Sequence, residues 1–149
     1  MKKILFISAT GNTNYTLAKE LSSYVDRELY NIEIINLENF NLPLFSPSSF
    51  KVDKEKHSKE IIELTNNMVN SDGFILCAPE YNGNIPPIVS NAIAWISTST
   101  DYWKDAFKGK HFFIASSSGG DAQKFQISME NQLIHLGGIV FNKKIIINS

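Results

Sequence analysis

Short apolar runs alternate along this chain with stretches in which hydrophobic residues recur every three or four positions. Residues 4–7 form a continuous apolar run, as expected of a strand buried on both faces. Ser8 to Thr13 interrupt it as a small polar loop. From about Asn14 the pattern becomes helical, with Leu17, Ala18, Leu21 and Val25 on one side and Lys19, Glu20 and Asp26 on the other. Residues 32–37 predict a second strand, and residues 39–50, with Pro43 and Pro47, an irregular segment. A single helix is expected over about 54–70, its apolar face made by Ile61, Ile62, Leu64, Met68 and Val69. Residues 73–78 read as a third buried strand, stopped by Pro79. Pro86 and Pro87 then open a helix running to about Ser97, since proline suits the first helical turn. Residues 111–115 predict a fourth strand, 116–120 a loop, 122–136 a helix and 139–147 a last strand.

Strand and helix therefore alternate from one end to the other, with no internal repeat and no linker, as expected of one domain over residues 1–149. Strands joined by helical crossovers run parallel, with right-handed connections and helices on both faces. The expected fold is a doubly wound α/β domain. In such sheets the ligand sits beyond the carboxyl ends of the strands, where the strand order reverses.

Composition narrows the function classes. With 43% hydrophobic and 19% charged residues and a net charge of −1, the chain offers no electrostatic reason to bind nucleic acid or an anionic membrane. The lysines between 51 and 59 are interleaved with Asp53, Glu55 and Glu60, as on a solvated face. The apolar run after Lys2 and Lys3 is too short for a signal peptide, and no stretch approaches the roughly 20 apolar residues of a membrane span. Expectation is therefore a soluble, cytoplasmic protein. Cys77 is the one cysteine, so there is no intramolecular disulfide and no zinc cluster. His57, His111 and His135 lack ligand spacing, and no metal site is expected.

Three loops following strand ends carry the chemistry: Ser8 to Thr13, Pro79 to Gly83, and Ser116 to Gly120. In a parallel sheet these ends share one edge, so the loops can converge on one ligand. Ser8-Ala9-Thr10-Gly11-Asn12-Thr13 supplies three hydroxyls and an amide, and Gly11 lets backbone approach without a Cβ. The helix that follows adds free N–H groups and a positive dipole end, a combination that holds a phosphate. It would do so without a cation, because Arg27 is the only arginine and lies near the far end of that helix. A plain polar helix cap fits the same residues. The loop lacks the second glycine and the lysine of a nucleotide-triphosphate P-loop, the dinucleotide fingerprint G-x-G-x-x-G, and the cysteine–arginine pair of a small phosphatase.

These residues carry a family resemblance. Ser8 to Thr13 resembles the phosphate loop of flavodoxins, T/S-x-T-G-x-T. Pro79-Glu80-Tyr81-Asn82-Gly83-Asn84-Ile85-Pro86, followed by Asn91-Ala92-Ile93-Ala94-Trp95, is similar to the P-E-Y-N-G-S-I-P…N-A-I-D-W stretch of the NADPH-dependent FMN reductase family, which includes quinone, azo-dye and chromate reductases. The likeness extends over nearly the whole chain in element order, including Leu37 and Leu42-Pro43-Leu44. It implies a flavodoxin-like five-stranded sheet of order 2-1-3-4-5, with FMN as cofactor and NADPH or NADH as electron donor. Ser8, Thr10, Gly11, Asn12 and Thr13 would hold the phosphate. Pro79, Glu80, Tyr81, Asn82 and Gly83 would line the flavin ring, with Ser117, Ser118 and Gly119 bordering it from the fourth strand. The ring itself carries the electrons, so no catalytic side chain is implied.

The resemblance implies oxidoreductase activity towards a small acceptor such as a quinone, an azo compound or free flavin, in a homodimer or higher homo-oligomer. A non-enzymatic flavodoxin-like electron carrier and a degenerate flavin-binding or interaction domain are the alternatives. Several residues stay open between two roles. Glu80 suits a cofactor edge or a solvated surface, and Tyr81 ring contact or packing. Trp95 suits the core or, as the family implies, a subunit interface, while Tyr102 and Trp103 suit a pocket wall or a loop anchor. Cys77 reads as a small buried hydrophobe. Two departures from the family stand out. Thr10 occupies a place where many relatives carry arginine, leaving NADPH and NADH equally open. The chain also stops after the last strand, where relatives continue into a helix. Apolar strand surface of several hundred Å2 or so is therefore expected to be exposed, to be covered by a partner subunit or a rearranged segment, or else the chain is a shortened product.

Overall fold

A computed structural model describes residues 1–148. Five parallel strand positions in the order 2-1-3-4-5 form the sheet: β1 (Lys2–Ser8), β2 (Tyr30–Asn36), β3 (Gly73–Cys77), β4 (His111–Ser118), and a last position shared by β5 (Ile139–Val140) and β6 (Ile145–Asn148). Both of these final pieces pair with β4 in parallel, β5 against His111 and Phe112 and β6 against Ala115 to Ser118. The single strand expected over 139–147 is thus broken in the middle. The polar residues Asn142, Lys143 and Lys144 fall in the gap, and Lys144 leaves the sheet line to pair with Glu130 at 2.5 Å.

The helices are α1 (Thr13–Ser23), α2 (Phe50–Lys56), α3 (Ser58–Val69), α4 (Pro87–Ser97) and α5 (Gln123–His135), with a 3-10 turn at Leu37–Phe40. Where the periodicity predicts one helix over 54–70, the structure has two, separated at His57 (φ −110°, ψ 24°). Their packing partners differ. Phe50 stacks on Trp95 of α4, whereas Leu64 and Met68 of α3 bury into the larger core beside the sheet. β4 is longer than expected, because Ser116, Ser117 and Ser118 stay in the ladder with β6.

Alternation along β1 sorts its side chains between two cores. Leu5 and Ile7 face the larger one, with α3, α4 and α5 contributing Leu64, Met68, Val89, Ile96, Phe125 and Met129. Phe6 faces the smaller one, which holds Leu17 and Ala18 of α1 together with Cys77 and Ala115. Among the described residues α1 alone covers this second face. Beyond it the strands are open, and Ile139 (49% exposed), Phe141 (51%) and Ile147 (41%) reach solvent.

The register sets where loops emerge. Ser8 pairs with Asn36 on one side and Cys77 on the other, and Cys77 pairs with Ala115. Two further bonds extend these ladders past the strand ends, from Ala9 N–H to the Cys77 carbonyl (2.9 Å) and from Ala78 N–H to the Ala115 carbonyl (3.1 Å). The loops after β1, β3 and β4 therefore leave the sheet side by side.

Candidate functional site

The first of these loops is tightly self-bonded. The Ser8 hydroxyl, fully buried, donates to the Thr10 carbonyl (2.6 Å), and the Thr10 hydroxyl donates to Asn12 Oδ1 (2.8 Å). Both groups expected at a ligand thus shape the loop in this structure. Gly11, Asn12 and Thr13 are exposed at its crest. Asn12 is the N-cap of α1, yet no side chain caps the helix, so its first-turn N–H groups point outward without an internal partner. An uncapped N-terminus carries roughly half a positive charge, which suits an anion.

Two residues that periodicity and motif did not single out complete this region. Asn14, 1% exposed, donates through Nδ2 to the Ser117 carbonyl and accepts the Ser117 N–H through Oδ1, both at 2.9 Å. It clamps the first turn of α1 to the end of β4. Its signal in the sequence is slight: a polar residue where the helix turns inward. Glu38, 27 positions away, accepts the Gly11 N–H at 2.6 Å from the 3-10 turn after β2. No local pattern announces that contact.

The third-strand loop has a different construction. Pro79 is buried, and Tyr81 to Asn84 close a two-residue turn with reciprocal backbone bonds of 3.1 and 3.0 Å. Asn82 (φ 51°) and Gly83 (φ 70°) both have left-handed backbone, the geometry of a type I′ turn, for which Asn-Gly is the favoured pair. The turn is stiff, and it carries Tyr81 44% exposed at its start. A Cβ on Gly83 would stand 3.2 Å from Lys124 Cδ, so the α5 lysine lies along this turn.

Glu80 is neither a free surface carboxylate nor turned out of the loop. Its Oε2 accepts the Phe125 N–H at 2.8 Å, in the first turn of α5, a helix whose N-cap, Ala122 at φ 50°, has no capping side chain and whose Gln123 N–H is taken by Asp121 Oδ1 at 3.1 Å. Its own N–H donates to the Ser118 hydroxyl at 3.3 Å. Glu80 thus ties the β3 loop to the end of β4 through its backbone N–H and to α5 through its carboxylate, whose charge suits the positive end of that helix. Ser117 and Ser118 are buried in the strand end, and Gly119 and Gly120 beyond them face open space.

Other sequence candidates fall elsewhere. Trp95 is fully buried, and its Nε1 donates to the Pro43 carbonyl at 2.7 Å between the rings of Phe45 and Phe50. It is core within this chain, which corrects the interface expectation for that side chain. Trp103 packs near His135 at the C-terminal end of α5, and Lys104 Nζ lies 4.6 Å from its ring centre. The loop leading into β4 lies at the amino edge of the sheet, so Trp103 and Tyr102 anchor that edge and do not wall the site. Cys77 is fully buried, and burial pushes its thiol up to about 12. It is a neutral core residue. Among the described residues no cluster of His, Cys, Asp or Glu could hold a metal ion, and no helix is long and apolar enough to cross a membrane.

The cradle fits a phosphate monoester in its uncapped helix start and exposed Thr13, and fits a flat aromatic ring in the stiff turn beside open space at Gly119. Comparison with known proteins points the same way. The chain shares 29% identity over 106 residues with a quinone reductase of Escherichia coli K12, covering 69% of this chain and 53% of that protein. It shares 30% over 74 residues with the NADH:(hydroxy)cinnamate reductase subunit CrdA of Vibrio ruber, covering 50% of this chain and 35% of that one. The chain thus spans about half the length or less of these curated relatives. Among solved structures, the flavoenzyme NAD(P)H:(acceptor) oxidoreductase FerB of Paracoccus denitrificans superposes with a TM-score of 0.76 at 22% identity, over 97% of this chain and 78% of that one. That likeness establishes the flavodoxin-like fold. The NADPH-dependent FMN reductase family matches residues 2–149, and the chain belongs to that family.

Proposed function

We propose that this chain is an FMN-dependent oxidoreductase that takes electrons from NADPH or NADH and passes them to a small acceptor: a quinone, an azo compound or free flavin. The observation that supports it best is the convergence, at one sheet edge, of an uncapped helix N-terminus and a rigid I′ turn. The first would hold the phosphate through Thr13, the Asn12 amide and the first-turn N–H groups of α1. The second would set backbone N–H groups and Tyr81 against the ring, with Ser118 and Gly119 on its other border. FMN, when bound, supplies a two-electron redox centre, so the protein needs no nucleophile of its own. Glu80 acts at one remove, fixing the turn relative to β4 and α5 through its two hydrogen bonds.

Homodimerisation is part of this reading, with the half-buried residues of α4, not Trp95, as the available contacts. The decisive experiment is anaerobic. Protein reconstituted with FMN should show a flavin spectrum that bleaches on addition of NADPH or NADH and recovers with a quinone. Colour that neither nucleotide bleaches would identify an electron carrier instead. Folded protein that takes up no FMN would leave only an interaction domain. Light scattering giving the mass of one chain would refute the dimer.

A further inference from the structure

One contact at the phosphate loop has no counterpart in the packing around it. Glu38 Oε2 sits 2.6 Å from the Gly11 nitrogen, and its backbone is fixed from behind, Asn36 Oδ1 accepting the Glu38 N–H at 3.1 Å. The side chain is exposed, and the ion pairs among the described residues, Lys3–Glu33 and Lys144–Glu130, do not involve it. A full negative charge therefore rests, without a balancing cation, on an amide of the loop that is to receive an anion. The approach is close enough that a Cβ on Gly11 would stand 3.0 Å from that same oxygen and 2.9 Å from Asn36 Nδ2.

We propose that Glu38 is a built-in competitor for the flavin phosphate. It occupies the Gly11 amide and holds FMN affinity below what the loop would give without it, so that the flavin can exchange. This rests on the FMN reading above. A phosphate monoester bearing about 1.5–2 negative charges, seated on Thr13 and the α1 amides, must displace the carboxylate or tolerate it nearby. In a water-like dielectric, repulsion between neighbouring groups of these charges is worth about tenfold in affinity.

Glu38→Gln isolates the charge, because the amide oxygen can still accept from Gly11 while the size is unchanged. Dissociation constants for FMN and for riboflavin, which lacks the phosphate, are measured by flavin fluorescence at low and high salt. The variant should bind FMN about tenfold more tightly, bind riboflavin as the parent does, and lose most of its gain at high ionic strength. FMN affinity that is unchanged or weaker, a gain shared by riboflavin, or a gain that salt leaves intact would each overturn the proposal while the parent's FMN binding stands. If neither protein binds FMN, the flavin reading falls and the competitor falls with it.

Discussion

Asn14 clamps the first turn of α1 to the end of β4, and replacing it has a calculable cost. Its amide makes two 2.9 Å hydrogen bonds with the Ser117 backbone at a position 1% exposed. Each such bond contributes about 1 kcal/mol net, and each backbone group left buried without a partner costs about 1–3 kcal/mol. Some relaxation or water entry will recover part of this, which places Asn14→Ala at about 2–4 kcal/mol. That is a large share of a typical total of about 5–15 kcal/mol. Asn14→Asp should be at least as costly, since one carboxylate oxygen would face the Ser117 carbonyl in a buried site. The assay is urea unfolding of flavin-free protein followed by tryptophan fluorescence. With a slope of about 2 kcal/mol per molar, the midpoint should fall by about 1–2 M. A midpoint for Asn14→Ala within about 0.3 M of the parent, or an Asp variant as stable as the parent, would refute the clamp.

Three further outcomes follow from other positions. A Cβ on Gly138 would meet the Phe112 ring at 2.9 Å and the Leu133 carbonyl at 3.0 Å, so Gly138→Ala should cost about 1–3 kcal/mol and lower the melting temperature by several degrees. An unchanged melting temperature would show that the helix end can shift away. Gly83→Ala should cost about 1–2 kcal/mol from its left-handed backbone (φ 70°), and a variant as stable as the parent would show that the turn relaxes. Cys77 has its pKa raised on folding, so its contribution is complete below the ordinary thiol range and is lost as pH rises towards about 12. The parent should lose about 1.4 kcal/mol more between pH 8 and 10 than Cys77→Ala, measured by denaturant titration, and equal slopes would contradict the burial.

The sheet was largely readable because its central strands are buried on both faces and stand as short apolar runs between polar loops. β1 and β3 are the clearest cases, with Pro79 and Pro87 marking the next boundaries. Where the pattern misleads, a distant partner decides. The break at His57 follows from Phe50 being drawn to Trp95, 45 positions later, with no proline or glycine to signal it. Ser116 to Ser118 read as a loop because they are polar, but strand β6 supplies ladder bonds that hydrophobicity does not report. At the site, the hydroxyls of Ser8 and Thr10 were visible in the loop motif, while their inward hydrogen bonds were not. Asn14, Glu38 and the capping role of Glu80 act across 103, 27 and 45 positions, distances over which sequence spacing carries no information.

The irregular stretch before α2 has an unusual fate. It is rich in proline and serine and has Leu44 79% exposed, the profile of a favoured cutting site for a protease. Yet the Pro43 carbonyl receives both Asn91 Nδ2 (3.0 Å) and Trp95 Nε1 (2.7 Å), and the Phe45 N–H is held by Asn91 Oδ1 (2.8 Å). A peptidase must draw several residues into extended form, which here means extracting Phe45 from beside the indole. Nicking at this stretch therefore reports a large collective opening of the α4 side, and its rate measures how often that half of the molecule comes apart.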